Sequence, residues 1–270
     1  MTESPEKEQS HSVEYRSVSQ RNEYAKCAYA YYLNRIVRAW RRPAAWIPQG
    51  TAVHEAIERF EKSGRVMTLE ETQDAFRKAY SRETNKLLED TPNTEHWFRS
   101  GPYSGEADIE RRFGIGLRQV AGYIEWVESH PEDVIWITPD GEPAIELEFD
   151  IDLDGVRVRG FIDQVVRGPR DLKTGNEPGD SFQLATYDIA LLLKYGVQCG
   201  RGDYWMAGSS SKRTHPEVIS HDLSEWTLEK VTEEFHRVDE GIRAGDFPPN
   251  PEESKCMFCS VRSACEFSVY

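Results

Sequence analysis

The sequence predicts an α/β fold, a sheet core with helices before, within and after it, and three observations carry that expectation. Apolar residues recur at helical spacing up to about residue 130. From 145 the period drops to two, with Ile145, Leu147, Phe149, Ile151 and Leu153 alternating with acids as in a half-buried strand. Beyond it the segments run strand, strand, helix, strand, strand, helix, with no internal repeat, no low-complexity block and no clear linker.

Residues 1–16 read as a disordered tail and 17–270 as one domain: mainly helical over 17–130, a sheet core over 143–222, then a C-terminal helix and cysteine-rich segment over 224–270. Tyr24, Cys27, Ala28, Tyr31, Tyr32, Ile36 and Trp40 set a helix over about 19–40. Arg35, Arg38, Arg41 and Arg42 at its end form the densest basic run of the chain. Pro43 and Pro48 then break the chain before a second helix, which starts at Thr51 and stops near Gly64. Thr68 with Glu71 is a capping-box signature for a third helix to about 88, and a long amphipathic helix spans about 105–129. Asp154-Gly155 is a tight-turn pair that returns the first strand as a second over 156–166, and Gly168-Pro169 turns the chain into a short third strand. A helix over 181–194, strands near 201–207 and 215–222, and a last helix capped by Ser224 and ending near Arg243 complete the order.

Composition narrows the function classes. At 270 residues and 38% hydrophobic the chain can bury an ordinary core. No run approaches the roughly 20 apolar residues of a membrane span, and the polar, acidic N-terminus lacks the apolar stretch of a secretory signal. The expectation is a soluble, cytoplasmic protein. The net charge of −14 argues against coating nucleic acid by bulk attraction and leaves room only for a local basic patch beside a metal site.

The chemistry concentrates between 160 and 187. Asp163 lies on one predicted strand; Asp171 and Lys173 lie two apart on the next and so share a face. Two carboxylates and an ammonium facing one spot suit phosphodiester hydrolysis. The carboxylates would hold Mg²⁺ or Mn²⁺, cations that take oxygen ligands, and the lysine would offset charge building on phosphate oxygens. A two-residue turn at 168–169 would set Asp163 against residue 174, about 10 Å out of step with Asp171, so a shared metal requires an asymmetric loop or a bulge.

These residues carry a resemblance. Gly160-Phe-Ile-Asp163, then Asp171-Leu-Lys173-Thr-Gly175, then Gln183-x3-Tyr187, preceded by Gly50-x3-His54, resemble the PD-(D/E)xK nuclease core in its RecB-like branch. The resemblance implies a restriction-endonuclease-like core, a mixed central sheet flanked by helices. It also implies that His54, Asp163, Asp171 and the Leu172 carbonyl are metal ligands, that Lys173 is the catalytic lysine, and that Gln183 and Tyr187 steady the lysine and the DNA strand. Relatives often place another acid on the preceding strand, a place that Glu146 or Glu148 could fill. No P-loop occurs, so the chain resembles stand-alone nucleases related to AddB nuclease domains and CRISPR-adaptation exonucleases, a type also found in phage genomes.

The five cysteines are unevenly placed, and Cys256-x2-Cys259-x5-Cys265 reads first as metal ligation. With Cys27, in a Ser17-x-Ser19…Tyr24-x2-Cys27 segment, they resemble the iron–sulfur members of the same branch, which implies a [4Fe–4S] cluster stapling the chain ends. Spacing alone admits zinc on the same four thiolates. Cys199 reads as an ordinary small buried residue. Trp40, Trp46 and Trp97 with Arg35, Arg38, Arg41 and Arg42 could grip single-stranded DNA or could be core and solvated face.

The expected function is a metal-dependent DNA exonuclease acting on single-stranded ends, in a bacterial cell or a phage-infected host. The alternatives are a structure-selective endonuclease with the same site, a DNA-binding module that does not turn over, and a zinc-stapled structural protein.

Overall fold

Cys27 divides the first predicted helix. Helix α1 (Val18–Lys26) starts at Ser17, whose side chain accepts from the Gln20 N–H, and stops where Cys27 turns extended at φ −165° and ψ 106°. Helix α2 (Ala28–Tyr31) and a π turn (Tyr32–Ile36) resume beyond it, so the segment is two helices ending at 36, not one helix to 40. The break lets a cysteine leave the helix surface, where its neighbours would otherwise hold it in line.

The structure, a computed structural model, describes residues 15–208 and 213–270. The tail expected over 1–16 therefore lies outside the described residues except for its last two positions. Arg16 is buried and paired with Asp239 at 2.6 Å.

Helix α3 (Trp46–Lys62) begins five residues before its expected start. Pro48 is its third residue, where no intrahelical acceptor faces the missing N–H, so the proline starts the helix instead of breaking it. Thr68 and Glu71 close the expected capping box on α4 (Leu69–Asp90), and α5 spans Gly105–Ser129. Strands β1 (Ile145–Leu153), β2 (Val156–Val165), β3 (Pro169–Lys173), β4 (Arg201–Met206) and β5 (Glu217–Asp222) lie in that order in one sheet. Helix α6 (Ser181–Tyr195) makes the crossover that a parallel β3–β4 pair requires, while β2–β3 and β4–β5 are antiparallel. The sheet is thus mixed and flanked by helices, as expected of a restriction-endonuclease-like core. Helix α7 (Leu228–Ala244) starts four residues past Ser224; Thr227 takes the cap, its Oγ1 accepting from the Lys230 N–H at 3.4 Å. A short α8 (Glu253–Met257) leads into the last cysteines.

Where the sequence reads as one domain, the chain divides into two compact units. The sheet unit holds 41–151 and 160–231; the terminal unit holds, among the described residues, 15–40, 152–159 and 232–270. In the sheet unit Ala52, Val53, Ile57 and Phe60 of α3, Phe76 and Tyr80 of α4, and Val120 and Tyr123 of α5 form one core with Leu172 and Trp205 of the sheet. In the terminal unit Tyr24, Ala28 and Tyr31 pack on Val238 and Ile242, and the Tyr24 hydroxyl donates to the Asp246 carbonyl at 2.6 Å. Among the described residues no helix is long and apolar enough to cross a membrane.

Candidate active site and four-cysteine site

The β2–β3 connection decides whether the two central acids can meet. Gln164 pairs with Arg170 and Val165 with Pro169, so the loop is residues 166–168 and the next step of the ladder sets Asp163 against Asp171. The loop is three residues centred on 167 instead of two centred between 168 and 169, with Pro169 already in the strand, and this shift of the turn by one and a half residues removes the three-residue misregister. Asp163 Oδ2 accepts the Leu172 N–H at 2.7 Å, a bond across the two strands that fixes the carboxylate.

His54 arrives from α3. Its Nδ1 stands 3.4 Å from Asp163 Oδ2. Gly50, one turn earlier, allows this approach, because a β-carbon there would stand 3.2 Å from Thr174 Oγ1, just past the end of β3. Beside it the buried Gln49 donates to Gln119, whose amide group donates in turn to the Thr174 carbonyl at 3.1 Å and the Gly208 carbonyl at 3.2 Å. This brace between α3, α5 and the end of β3 has no sequence signal beyond Gln49 standing next to Gly50.

Glu146 completes a triad. His54, Glu146 and Asp163 each offer a ligand atom, all within 4.8 Å of one another. Of the two acids considered for this place the structure selects Glu146, not Glu148, which is exposed. Glu146 holds a left-handed φ of 48° inside a strand, a conformation a non-glycine residue keeps only where its surroundings impose it. Burial, then the Asp163 charge, push the Glu146 carboxyl up to about 7. Burial, then Asp171, push Asp163 well above the usual carboxylate range, while the Leu172 N–H and Lys173 pull the other way. Carboxyls that disfavour each other's charge, with an imidazole nitrogen beside them, are a donor set that fits a divalent cation.

Asp171 is not in the triad; its carboxylate is engaged by the catalytic-lysine candidate and its neighbours. Lys173 Nζ stands 2.7 Å from Asp171 Oδ2 and donates to Gln183 Oε1 at 3.2 Å. The Gln183 amide donates to Asp171 Oδ1 and, at 2.8 Å, to the Tyr187 hydroxyl. Asp180 caps α6, its Oδ1 accepting the Gln183 N–H, so the helix start and the glutamine are set together. The structure thus places Asp163, Asp171, Lys173, Gln183, Tyr187 and His54 in one constellation. Leu172 enters through its backbone N–H on Asp163, and its side chain is buried in the core. Tyr204, opposite Asp171 in the parallel β3–β4 ladder, lies with its ring 5.3 Å from Lys173 Nζ and is a residue the sequence reading missed.

The DNA-gripping residues divide. Trp97 is 2% exposed and donates its indole N–H to the Thr91 carbonyl, which makes it core and corrects its place among the stacking candidates. Arg42 donates to the His96 and Trp97 carbonyls at 2.8 and 3.1 Å, and Arg35 pairs with Glu23 at 2.6 Å. Arg38, Trp40 and Arg41 are exposed.

In the terminal unit Cys27, Cys256, Cys259 and Cys265 line one cavity of about 150 Å³, with Leu33, Val261, Phe258 and Phe267 among its walls. All four are unbridged and partly exposed, and the Asn250 N–H donates to Cys27 Sγ at 3.4 Å. Burial pushes the Cys259 thiol up, Cys265, Cys27 and Cys256 add to the rise, and a backbone hydrogen bond from Val261 opposes it. Four thiols on one apolar-walled cavity fit a thiophilic metal group. Cys199 stands apart in the sheet unit, half-buried instead of buried, its N–H bonded to Asp188 at 2.8 Å.

The family model of the PD-(D/E)XK nuclease superfamily matches residues 15–266. The Gene 69 protein of Mycobacterium phage D29 is 51% identical over 259 residues, covering 93% of this chain and 96% of its own. The Gene 69 protein of Mycobacterium phage L5 is 48% identical over 278 residues, covering 93% and 95%. A crystal structure of an exonuclease candidate from Eubacterium rectale superposes with a TM-score of 0.46 at 14% identity, covering 97% of this chain and 94% of that one.

Proposed function

We propose that this chain, which belongs to the PD-(D/E)XK nuclease superfamily, is a divalent-metal-dependent deoxyribonuclease that degrades single-stranded DNA from an end. The observation that carries the reading is the convergence of His54, Glu146 and Asp163 within 4.8 Å, beside an ion-paired Asp171 and Lys173. His54, Glu146 and Asp163 would hold Mn²⁺ or Mg²⁺, with Asp171 and the Leu172 carbonyl as the further ligands that the family resemblance implies. When bound, the cation polarises the phosphate and makes water a nucleophile near neutral pH.

The protein's own groups do the rest. Lys173 presents a fixed ammonium, held by Asp171 and Gln183, to offset charge developing on the phosphate oxygens. Tyr187 and Asp171 occupy the two amide hydrogens of Gln183, so its Oε1 is aimed at the lysine and the amide cannot flip without losing both bonds. The choice of exonuclease over endonuclease rests on the RecB-like resemblance of the motifs, and so does the preference for single strands.

In the terminal unit the four cysteines would hold a [4Fe–4S] cluster. The choice of a cluster over a single zinc ion on the same thiolates rests on the resemblance of the four-cysteine pattern to the iron–sulfur members of the branch.

Linear single-stranded DNA labelled separately at each end tests the activity, with anaerobically prepared protein, Mn²⁺ or Mg²⁺, and Lys173→Ala and Asp163→Ala alongside. Shortening from one labelled end, lost in both variants, is the expected result. Cutting of circular single strands would replace the exonuclease with an endonuclease. Intact DNA in every arm, with the protein folded and brown, would sink the catalytic reading and leave a DNA-binding module.

A further inference from the structure

We propose that Tyr204 is a positioning residue for Lys173, acting through both its ring and its hydroxyl; the proposal rests on the nuclease reading above. The register of β3 and β4 pairs Asp171 with Tyr204, and residues paired across a parallel ladder project from the same side of the sheet. The ring so placed lies 5.3 Å from Lys173 Nζ, within the range where an ammonium is held by the negative face of an aromatic ring. Tyr204 has no exposed surface, so this contact is dry and water does not compete for the ammonium from the ring side.

The hydroxyl makes the second connection. It donates to the Asp180 carbonyl at 2.7 Å and stands 3.5 Å from Gln183 Oε1, the same oxygen that accepts from Lys173. Asp180 is the cap of α6, so one phenol ties the start of that helix, and the glutamine on its third residue, to the central sheet. Gly179 leaves the space: a β-carbon there would lie 2.2 Å from the Tyr204 oxygen. Lys173 is therefore held on three sides, by Asp171, Gln183 and the Tyr204 ring. Two of those three are themselves fixed by residues outside the recognised motifs. In the sequence Tyr204 is one aromatic in an ordinary strand pattern, and no motif marks it.

Two variants separate the two contacts. Tyr204→Phe keeps the ring and loses the hydroxyl; Tyr204→Leu loses both. Steady-state cleavage of end-labelled single-stranded DNA should show kcat lower by about 3-fold in Tyr204→Phe and by about 30-fold or more in Tyr204→Leu. KM for DNA and the Mn²⁺ affinity should stay unchanged, because Tyr204 touches neither. In a Lys173→Ala background Tyr204→Leu should lower the residual rate less than about 2-fold, since its partner is already gone. An equal multiplicative loss in both backgrounds, or a loss carried by KM or by Mn²⁺ affinity, would overturn the proposal. Should Tyr204→Leu not fold, Tyr204→Phe alone decides, with an unchanged kcat counting against it.

One readout is independent of activity. The Lys173 ε-protons, above an aromatic face, should show an upfield-shifted NMR resonance that survives Tyr204→Phe and disappears in Tyr204→Leu. If the wild type cuts no DNA, the nuclease reading fails while this shift still judges the contact: an upfield resonance supports it, and one unchanged by Tyr204→Leu refutes it.

Discussion

His54, Glu146 and Asp163 stand on one helix and two neighbouring strands, whereas Cys27 stands at a helix break and Cys256, Cys259 and Cys265 on a run with only two short helical turns. The first set is placed by ladder hydrogen bonds, a capping network and a packed three-helix core. The second set joins segments about 230 residues apart, Cys27 to Cys256, through turns and short helical pieces. A site on regular elements is organised by the fold. A site on loops is organised by what it binds, and that group in turn stabilises the fold.

The largest expected effect isolates the first site. Lys173→Ala and Asp163→Ala should each lower Mn²⁺-dependent cleavage by about 10³-fold or more, leaving any brown colour of the terminal unit unchanged. Loss of colour together with activity would break the contrast between the two sites.

Next in size is the converse. Cys256→Ser, or iron chelation of the wild type, should cost several kcal/mol, seen as a drop of about 10 °C in the unfolding midpoint. Limited proteolysis should cut first in the terminal unit. Unchanged stability after chelation would mean that the cysteines, like the acids, are placed by the fold alone.

A third test uses the acids' own repulsion. Glu146 is pushed up to about 7 in the folded chain, while an unfolded Glu titrates near 4.3. Folding therefore takes up protons between those values, and metal-free protein should lose stability as pH rises through 7, with Asp163 contributing in the same direction. Thermal melts at pH 5 and pH 8 after chelating divalent ions should show the drop. Mn²⁺ at 100 times its Kd should then restore about 2.7 kcal/mol at pH 8, and Asp163→Asn should raise the metal-free midpoint there. A melt that is flat with pH would mean the acids are already neutralised by the protein.

The smallest effect concerns the brace. Gly50→Ala places a β-carbon 3.2 Å from Thr174 Oγ1, so α3 must give by a few tenths of an ångström. Stability should change by less than about 1 kcal/mol, while Mn²⁺ titration should show weaker binding as His54 retreats from Asp163.

Much of this was legible before any coordinates. The period change at 145, the Thr68–Glu71 box and the Asp171-x-Lys173 pair depend on interactions within a few residues, and local chemistry writes them directly into the chain. The spacing of Cys256, Cys259 and Cys265 is legible for the same reason. What local pattern could not supply was register. Whether Asp163 faces Asp171 depended on the loop being centred on 167 instead of on 168–169, and a slip of one position reverses a strand's faces. Only the folded chain could choose Glu146 over Glu148, because that choice depends on which of the two lies beside His54 and Asp163. Only the parallel ladder could bring Tyr204 beside Lys173, and only packing could send Trp97 into the core instead of toward a bound strand. The sequence by itself determined which chemical groups are present and on what kind of element each rides. The tertiary structure decided which of them meet, because contacts between residues tens to hundreds of positions apart are set by packing and strand pairing.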